Sequence, residues 1–491
     1  MCLICITMLS ACGKQKQGED QILDHKLTIM APLHAPYLPD KEIVAAIEEG
    51  TNTDLEIEWV LNEIYLEKLN TAIATDSLLD VTYVKQTDYM YTKGAIRSGL
   101  FWEIGPYLKD YPNLRHLNQE ILMQTAVDSK VYGLYTERPS SRQGVIIRKD
   151  WLDALGLPLP GTIEELYEVL KQFTYGDPDG NGKDDTFGLT DRSDLIFGAF
   201  KTVGSYFGTP NNWTYDGEQF IPEFATEAYM ETMRFMRKLY EEQLINSDFA
   251  VASKQLQRSR LINGEAGVYI GSMSDAERLA DEAKKINPDA EFTLINRIKG
   301  PSGYHVWSIP NHSGLYLFSK ESLETEDELR QALAFFDRTM DADISNLMRY
   351  GFEGRHHVVK DGKIYMTDEM SELRTVEVNT LYTLMIADRS NPNIMPMGNR
   401  EPLLALAEKL YVDNELFIVG DPMMYLDSPT EEERGPELHK MITDATYQFM
   451  IGSIDEEGFR EEVERWRKAG GEQIIQEYNE AYHNWKNPSS L

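Results

Sequence analysis

The stretch DPDGNGKDDTFG, Asp177 to Gly188, puts oxygen-bearing side chains at the alternate positions a hard cation requires. Counted from Asp177, they fall at positions 1 (Asp177), 3 (Asp179), 5 (Asn181) and 9 (Asp185). Gly182 at position 6 permits a sharp turn, and the Lys183 carbonyl at position 7 can face inward. This is the first part of a calcium loop, in which alternate residues converge on one ion. Position 12 departs from it, because Gly188 stands where an EF-hand has a bidentate glutamate. Asp184 would face away in an extended segment. The competing reading is a polar Asp/Asn-Gly turn that binds no metal. Chelation by four side chains and a carbonyl leaves little room for substrate, so the expected role of a calcium ion here is structural.

A second reactive position is Cys12. The three cysteines are Cys2, Cys5 and Cys12, and none follows. LSAC, Leu9 to Cys12, is a lipobox: small Ser10 and Ala11 give a lipoprotein signal peptidase access to the bond before Cys12, whose thiol would carry the lipid. Residues 1–11 then read as the signal peptide, apolar and too short to span a bilayer. They have no positively charged start, which points to a longer native leader. A buried N-terminal strand is the alternative. Residues 12–25, polar and poor in apolar side chains, read as a flexible tether. No later apolar run approaches the ~18 residues of a membrane span.

Positioning such groups requires a folded scaffold, and 491 residues with 42% hydrophobic and 10% aromatic content suffice for two or three lobes. The formal net charge of -33 repels phosphate backbones, so nucleic acid is not an expected partner. Residues 26–31, 54–61 and 78–84 read as strands, with helices at 41–50 and 65–75 between them. That βαβαβ alternation predicts a parallel sheet. Ligands of such sheets sit outside the carboxyl ends of the strands, here PLHAPY (32–37) and KQTDY (85–89). Helical patterns dominate from 150 to 290. One opens on a capping box, Thr162 to Glu165; another, 226–245, carries Tyr229, Met233, Met236 and Tyr240 on one core-facing stripe. Strands return at 305–310 and 314–320, a helix follows at 327–340, and two charged helices broken at Gly470-Gly471 close the chain. Two lobes with the chain crossing between them are expected.

The block IIRKDWLDALGLPLPGTIEELYEVLKQFTYGDPDGNGKDDTFGLT (146–190) resembles extracellular solute-binding proteins of the family 1 type that serve carbohydrate ABC importers. Within that family it is similar to Gram-positive lipoproteins and to calcium-carrying alginate-binding proteins. GLFWEIGPYLKDYPNL (99–114), FGTPNNWTYDGEQF (207–220), NGEAGVYIGSM (263–273) and RYGFEGRHHVVKDGKIY (349–365) carry the same likeness in order. The resemblance implies an α/β, two-lobed periplasmic-binding-protein-like fold of type II. Each lobe would be a mainly parallel sheet flanked by helices, the second lobe helix-rich. The expected partition gives 26–137 plus 300–345 to lobe I. Lobe II takes 138–299 plus 346–491, including the calcium loop 177–188 and the C-terminal helices. The alginate-binding relatives carry an acidic residue after position 9 of the loop, where this chain has Thr186.

The implied function is that of a monomeric lipoprotein on the extracellular face of the cell membrane. It would capture an oligosaccharide between the lobes, close by hinge motion and deliver it to ABC permease subunits. Sugar sites combine aromatic platforms with planar polar groups. The candidates are Trp213 on a Gly/Pro/Asn loop, Tyr269 at a strand end, Tyr304 and Trp307 at the return crossing, and Lys85, Gln86 and Asp88 after a strand. Arg138, with Arg142, sits near the first crossing, where either could pair with a ligand hydroxyl or acid group or lie solvated. Trp102 and Trp151 read as core, and Arg355-His356-His357 as a hydrogen-bonded or surface loop. No GxSxG, HExxH, P-loop or Rossmann fingerprint appears. A secreted carbohydrate-active enzyme remains the alternative, since 81 acidic residues make carboxylate pairs uninformative. A lipid-anchored scaffold is a third reading.

Overall fold

The computed structural model describes residues 25–486 except Ala35. The signal peptide, Cys12 and all of the tether but His25 lie outside the described residues. In chain order the first strands are β1 (His25–Leu33), β2 (Thr53–Leu61), β3 (Val81–Lys85), β4 (Gly133–Glu137), β5 (Gln143–Arg148), β6 (Phe187–Thr190), β7 (Trp213–Tyr215) and β8 (Phe220–Pro222). They continue with β9 (Ala266–Ser272), β10 (Phe292–Ile295), β11 (Val306–Trp307), β12 (His312–Phe318), β13 (Val358–Lys360), β14 (Lys363–Tyr365) and β15 (Ile418–Val419).

The βαβαβ start is present: β2 and β3 both pair with β1 in parallel, connected by the helices Lys41–Thr51 and Tyr65–Ala74. Two side-chain links hold β3 in place. The Thr28 amide donates to Asp80 Oδ2 at 2.8 Å while the Asp80 amide donates to Thr28 Oγ1 at 3.0 Å. The buried Tyr65 hydroxyl lies 3.0 Å from the Met30 carbonyl and 2.7 Å from that of Tyr83. β12 then enters antiparallel between β3 and β4, giving the order β2-β1-β3-β12-β4. The second sheet, β10-β5-β9-β6, has two antiparallel pairs and one parallel pair. The sheets are therefore mixed, more so than the mainly parallel ones expected. The cause is the return of the chain: β5 enters from the first crossing antiparallel to β9 and β10, and β12 enters from the second crossing antiparallel to β3 and β4.

Two large apolar cores define the two lobes. The first packs apolar side chains of residues 27–135 with those of 315–336 and, further on, Ile344, Met348 and residues 378–387. The second packs those of residues 145–298 with those of 423–478, and a smaller cluster beneath β9 and β10 takes in Ala407 and Tyr411. This corrects the expected partition, which assigned everything after 345 to lobe II. The helix Ala342–Tyr350 and the turn around Leu381 cover the first sheet, and the chain recrosses only between Ala387 and Ala407. Ile344, Leu347 and Met348 follow helical spacing, but that pattern says only that one face is covered and not which sheet covers it.

Three passages join the lobes: 138–142, 308–311 and 388–402. The first two run side by side, with the Arg138 amide donating to the Asn311 carbonyl at 2.9 Å and the Ile309 amide to the Ser140 carbonyl at 2.7 Å. Asn211 ties the second passage to the chain after the third, donating to the Ser308 and Val419 carbonyls at 2.8 and 3.1 Å. Of the expected strand 305–310, only Val306 and Trp307 pair, in parallel with β15. The C-terminal helices Glu456–Trp466 and Glu472–Lys486 meet at Gly470, whose φ of 145° belongs to glycine alone.

Candidate functional site

The carboxyl ends of β1, β3 and β4, with the start of β12, surround a pocket of about 240 Å³. Residues from both tips singled out in the sequence line it: His34 after β1, and Lys85, Gln86 and Thr87 after β3. Arg138, Tyr83, Thr136, Ser313, Tyr382 and Thr383 complete the lining. None of these ten side chains is acidic, in a chain with 81 acids and 48 bases. The volume is below the ~300–1,000 Å³ of a complete ligand site. It suits one unit of a longer ligand, with the rest along the opening.

A hydroxyl chain forms one wall. Tyr83 Oη lies 3.1 Å from Thr136 Oγ1, which lies 2.8 Å from Ser313 Oγ. Tyr83 reaches across β12 only because residue 314 is glycine, where a Cβ would collide with the ring's Cζ and hydroxyl. Lys85 Nζ donates to the Asn62 carbonyl at 2.9 Å and sits 5.3 Å from the Tyr65 ring centroid, which fixes its ammonium at the pocket edge. Arg138 Nε donates to the Pro310 carbonyl at 3.1 Å. Burial, and then the neighbouring Arg142 guanidinium, pull the Arg138 pKa down to about 10. Next to it, buried His312 is held neutral, its pKa pushed down to about 3 by burial and by Arg138. Tyr382 presents a half-exposed ring.

The pocket thus brings together Lys85, Gln86 and Arg138 of the eight expected ligand contacts. The others are placed elsewhere. Asp88 is buried and accepts from Thr87 Oγ1 at 2.9 Å, at the head of the helix Tyr89–Arg97. Trp213 packs against Tyr478 and Trp466, with ring centroids 5.3 and 6.4 Å away, under the C-terminal helices. Its Gly/Pro/Asn surroundings suggested exposure, but the distant chain end covers it. Tyr269 is 1% exposed, its hydroxyl 3.4 Å from Asp275 Oδ2. Trp307 is buried in the second lobe, donating to Thr202 Oγ1 at 3.0 Å, with Phe197 beside it. Tyr304 is exposed but leans on Phe417 and under the Arg297 guanidinium, away from the pocket. Trp151 is core, and Trp102 is partly buried with Nε1 on the Leu323 carbonyl. His356 and His357 are buried and hydrogen-bonded to Glu377 and to the Tyr350 carbonyl. Tyr382 and Thr383 were missed, since the 3₁₀ stretch Asn379–Leu384 has no periodicity that would mark it.

The loop 177–188 joins the capped helix Ile163–Tyr175 to β6, and both hydrogen bonds of the Thr162–Glu165 capping box are formed. The Gly182 amide donates to Asp177 Oδ2 at 3.1 Å and the Lys183 amide to Asn181 Oδ1 at 2.8 Å. Asn181 Nδ2 stands between Asp179 Oδ2 (2.7 Å) and Asp185 Oδ1 (3.2 Å). Among the described residues no three acidic, histidine or cysteine side chains converge as an ion would require. The donors nevertheless fit a hard cation in type and order, with the Asn181 amide holding the place between two carboxylates. Thr186 does not contribute, because it is buried and donates to the Phe173 carbonyl at 2.9 Å. Position 12 cannot contribute: a Cβ on Gly188 would fall 2.6 Å from the Leu170 carbonyl oxygen.

A model described as bacterial extracellular solute-binding protein matches residues 31–321. The polygalacturonan/rhamnogalacturonan-binding protein YtcQ of Bacillus subtilis is 45% identical over 474 residues, 96% of this chain and 93% of its own length. Lipoprotein LipO of the same organism is 32% identical over 468 residues, 94% of this chain and 93% of its own. Among solved structures, an HMO-binding, ABC-transporter-associated solute-binding protein from Bifidobacterium longum infantis shares the fold. Its TM-score is 0.74 at 17% identity, covering 94% of this chain and 99% of that one. The chain, two-lobed and with its polar pocket at the strand ends beside the crossings, belongs to the bacterial extracellular solute-binding proteins.

Proposed function

We propose that this protein is the substrate-binding component of a carbohydrate ABC importer and holds an acidic, galacturonate-bearing oligosaccharide. The observation that carries the reading is the composition of the pocket. Two cations, a chain of hydroxyls, an amide and an aromatic ring meet there without one carboxylate, against a net charge of -33. A surface so acidic repels a polyuronate unless positive charge is gathered where the ligand docks. The 45% identity to a polygalacturonan-binding relative supports the same class of ligand. The hydroxyls and the amide would serve the sugar rim, and Tyr382 would stack on a ring face.

The protein would release its ligand chemically unchanged to permease subunits, acting as a monomer. Cys12 would carry the lipid that keeps it at the outer face of the membrane, as the kinship to a lipoprotein supports. Asp177, Asp179, Asn181, Asp185 and the Lys183 carbonyl would hold calcium, which would supply a cross-link between the helix Ile163–Tyr175 and β6. Incubation with a panel of neutral and acidic oligosaccharides tests the reading. Thermal stabilisation and compaction in small-angle scattering with galacturonate oligomers, the sugar being recovered intact, are expected. Turnover of any sugar, or a response to neutral oligosaccharides alone, refutes it.

A further inference from the structure

We infer that Arg138 and Arg142 together form a subsite for the carboxylate of a hexuronate unit, on the first passage of the chain between the lobes. The inference rests on the acidic-oligosaccharide reading and names the residues that would distinguish acid from neutral sugar.

Arg138 follows β4 and Arg142 precedes β5 on one short segment with a bend at Ser140, the first fastened to the second passage and the second to the end of β9. The Arg138 amide is bonded to Asn311 in the second passage, while the Arg142 carbonyl accepts from the Met273 amide just after β9. Neither guanidinium has an acidic partner within ion-pair distance among the described residues. Other arginines of the second lobe and of the segment after residue 345 do: Arg192 with Asp194 at 3.0 Å, Arg258 with Asp275 at 2.6 Å, and Arg349 with Asp388 at 2.6 Å. Glu137, adjacent in the chain, and Asp388, which like Arg142 lies near Tyr382, are already engaged. Glu137 accepts from the Ser390 amide and hydroxyl at 2.9 and 2.7 Å, and Asp388 is taken by Arg349. Arg142 Nε is buried with no hydrogen-bond partner.

Two unpaired, partly buried guanidiniums within repulsive reach are costly, because a buried charge needs an opposite charge or a full set of hydrogen bonds. That mutual repulsion contributes to the lowered pKa of Arg138. The chain has 81 acidic side chains and places none of the described ones on either guanidinium, so the complementary charge is one that a ligand carboxylate can supply. A guanidinium presents a planar fork to a carboxylate and can bind both its oxygens. A neutral sugar or a methyl ester supplies no negative charge and would leave the repulsion in place.

Titration calorimetry with tri-galacturonic acid and its fully methyl-esterified counterpart tests this on the whole protein. Arg142→Gln is expected to weaken acid binding on the order of 10- to 100-fold, the usual worth of a charge-assisted hydrogen bond. Ester binding should remain within about 2-fold, which also reports an intact fold. The salt dependence of acid binding should flatten in the variant. Arg142→Lys, which keeps the charge, should recover part of the loss. Equal losses for acid and ester, unchanged acid binding in R142Q, or loss of both probes in both variants would each overturn the subsite while leaving the ligand class standing. Failure of the unaltered protein to bind the acid, with neutral oligosaccharides still bound, would instead overturn the ligand class and the subsite with it.

Discussion

Tyr382→Ala measures how much of ligand binding comes from an aromatic platform. The ring is 49% exposed. A fully covered tyrosine buries about 150–250 Å², so about 100 Å² remains to be covered, and a sugar laid on one face covers roughly half of that. At about 25 cal/mol per Å², some 50 Å² corresponds to ~1.2 kcal/mol, a loss of about 8-fold in affinity. The neighbours Thr380, Leu381, Thr383 and Leu384 are buried and anchor the turn, so the truncation should leave the fold intact. Titration calorimetry with a galacturonate oligomer gives the affinity, and a thermal melt of the unliganded variant checks the fold. Tyr382→Phe keeps the ring and should stay within about 2-fold of the unaltered protein. Wild-type affinity in Y382A, or Y382F as weak as Y382A, would refute the stacking argument; the second result would move the effect to the hydroxyl.

Calcium should raise the melting temperature and a chelator should reverse the rise, with about 2.7 kcal/mol of stabilisation at 100 times Kd. Asp179→Asn should abolish that response; a melting temperature indifferent to both additions would refute a metal-binding loop. The carboxyl of fully buried Asp191 is pushed up to about 7 by burial, against the amides of Ala199 and Arg192 that lower it. The folded state therefore keeps a proton that the unfolded chain releases at about pH 4, so this stabilisation is full at low pH and is lost as pH rises to about 7. The unfolding free energy from urea titrations of the wild type, relative to Asp191→Asn, should fall across that window by up to about 1.4 kcal/mol per pH unit and level off above it; parallel curves would refute the assignment. Gly314→Ala should destabilise by about 1–3 kcal/mol through the clash with Tyr83 and alter ligand affinity as the ring moves; a variant indistinguishable in melting and binding would show that β12 can yield there.

Elements that announce themselves locally were legible from the sequence. The period-2 and 3.6 patterns of residues 25–85 place the first sheet, and the rule about strand ends places the pocket at His34, Lys85, Gln86 and Thr87. The capping box at Thr162 and the Gly470 break are equally local. What failed depends on partners far away in the chain. Trp213 has a loop-like context but is covered by Trp466 and Tyr478, more than 250 residues later. Tyr269 and Trp307 have the side chains of a sugar platform and lie under neighbouring elements instead. The lobe boundary after 345 was misplaced for the same reason, since no local signal says which of two sheets a short helix will cover. Tyr382 has no signature at all, being brought to the pocket only by that return of the chain.

The unequal closing of the two cores has a consequence for biogenesis. The first core is complete once residue 387 is available, whereas the second waits for Tyr478, about 90 residues later. A chain emerging N-terminus first can thus finish one half while the other still lacks the segment that shields Trp213. Loss of the last two helices would be expected to leave a half-assembled particle, sticky at the Trp213 surface and vulnerable to proteases there, with the sugar-facing half already formed.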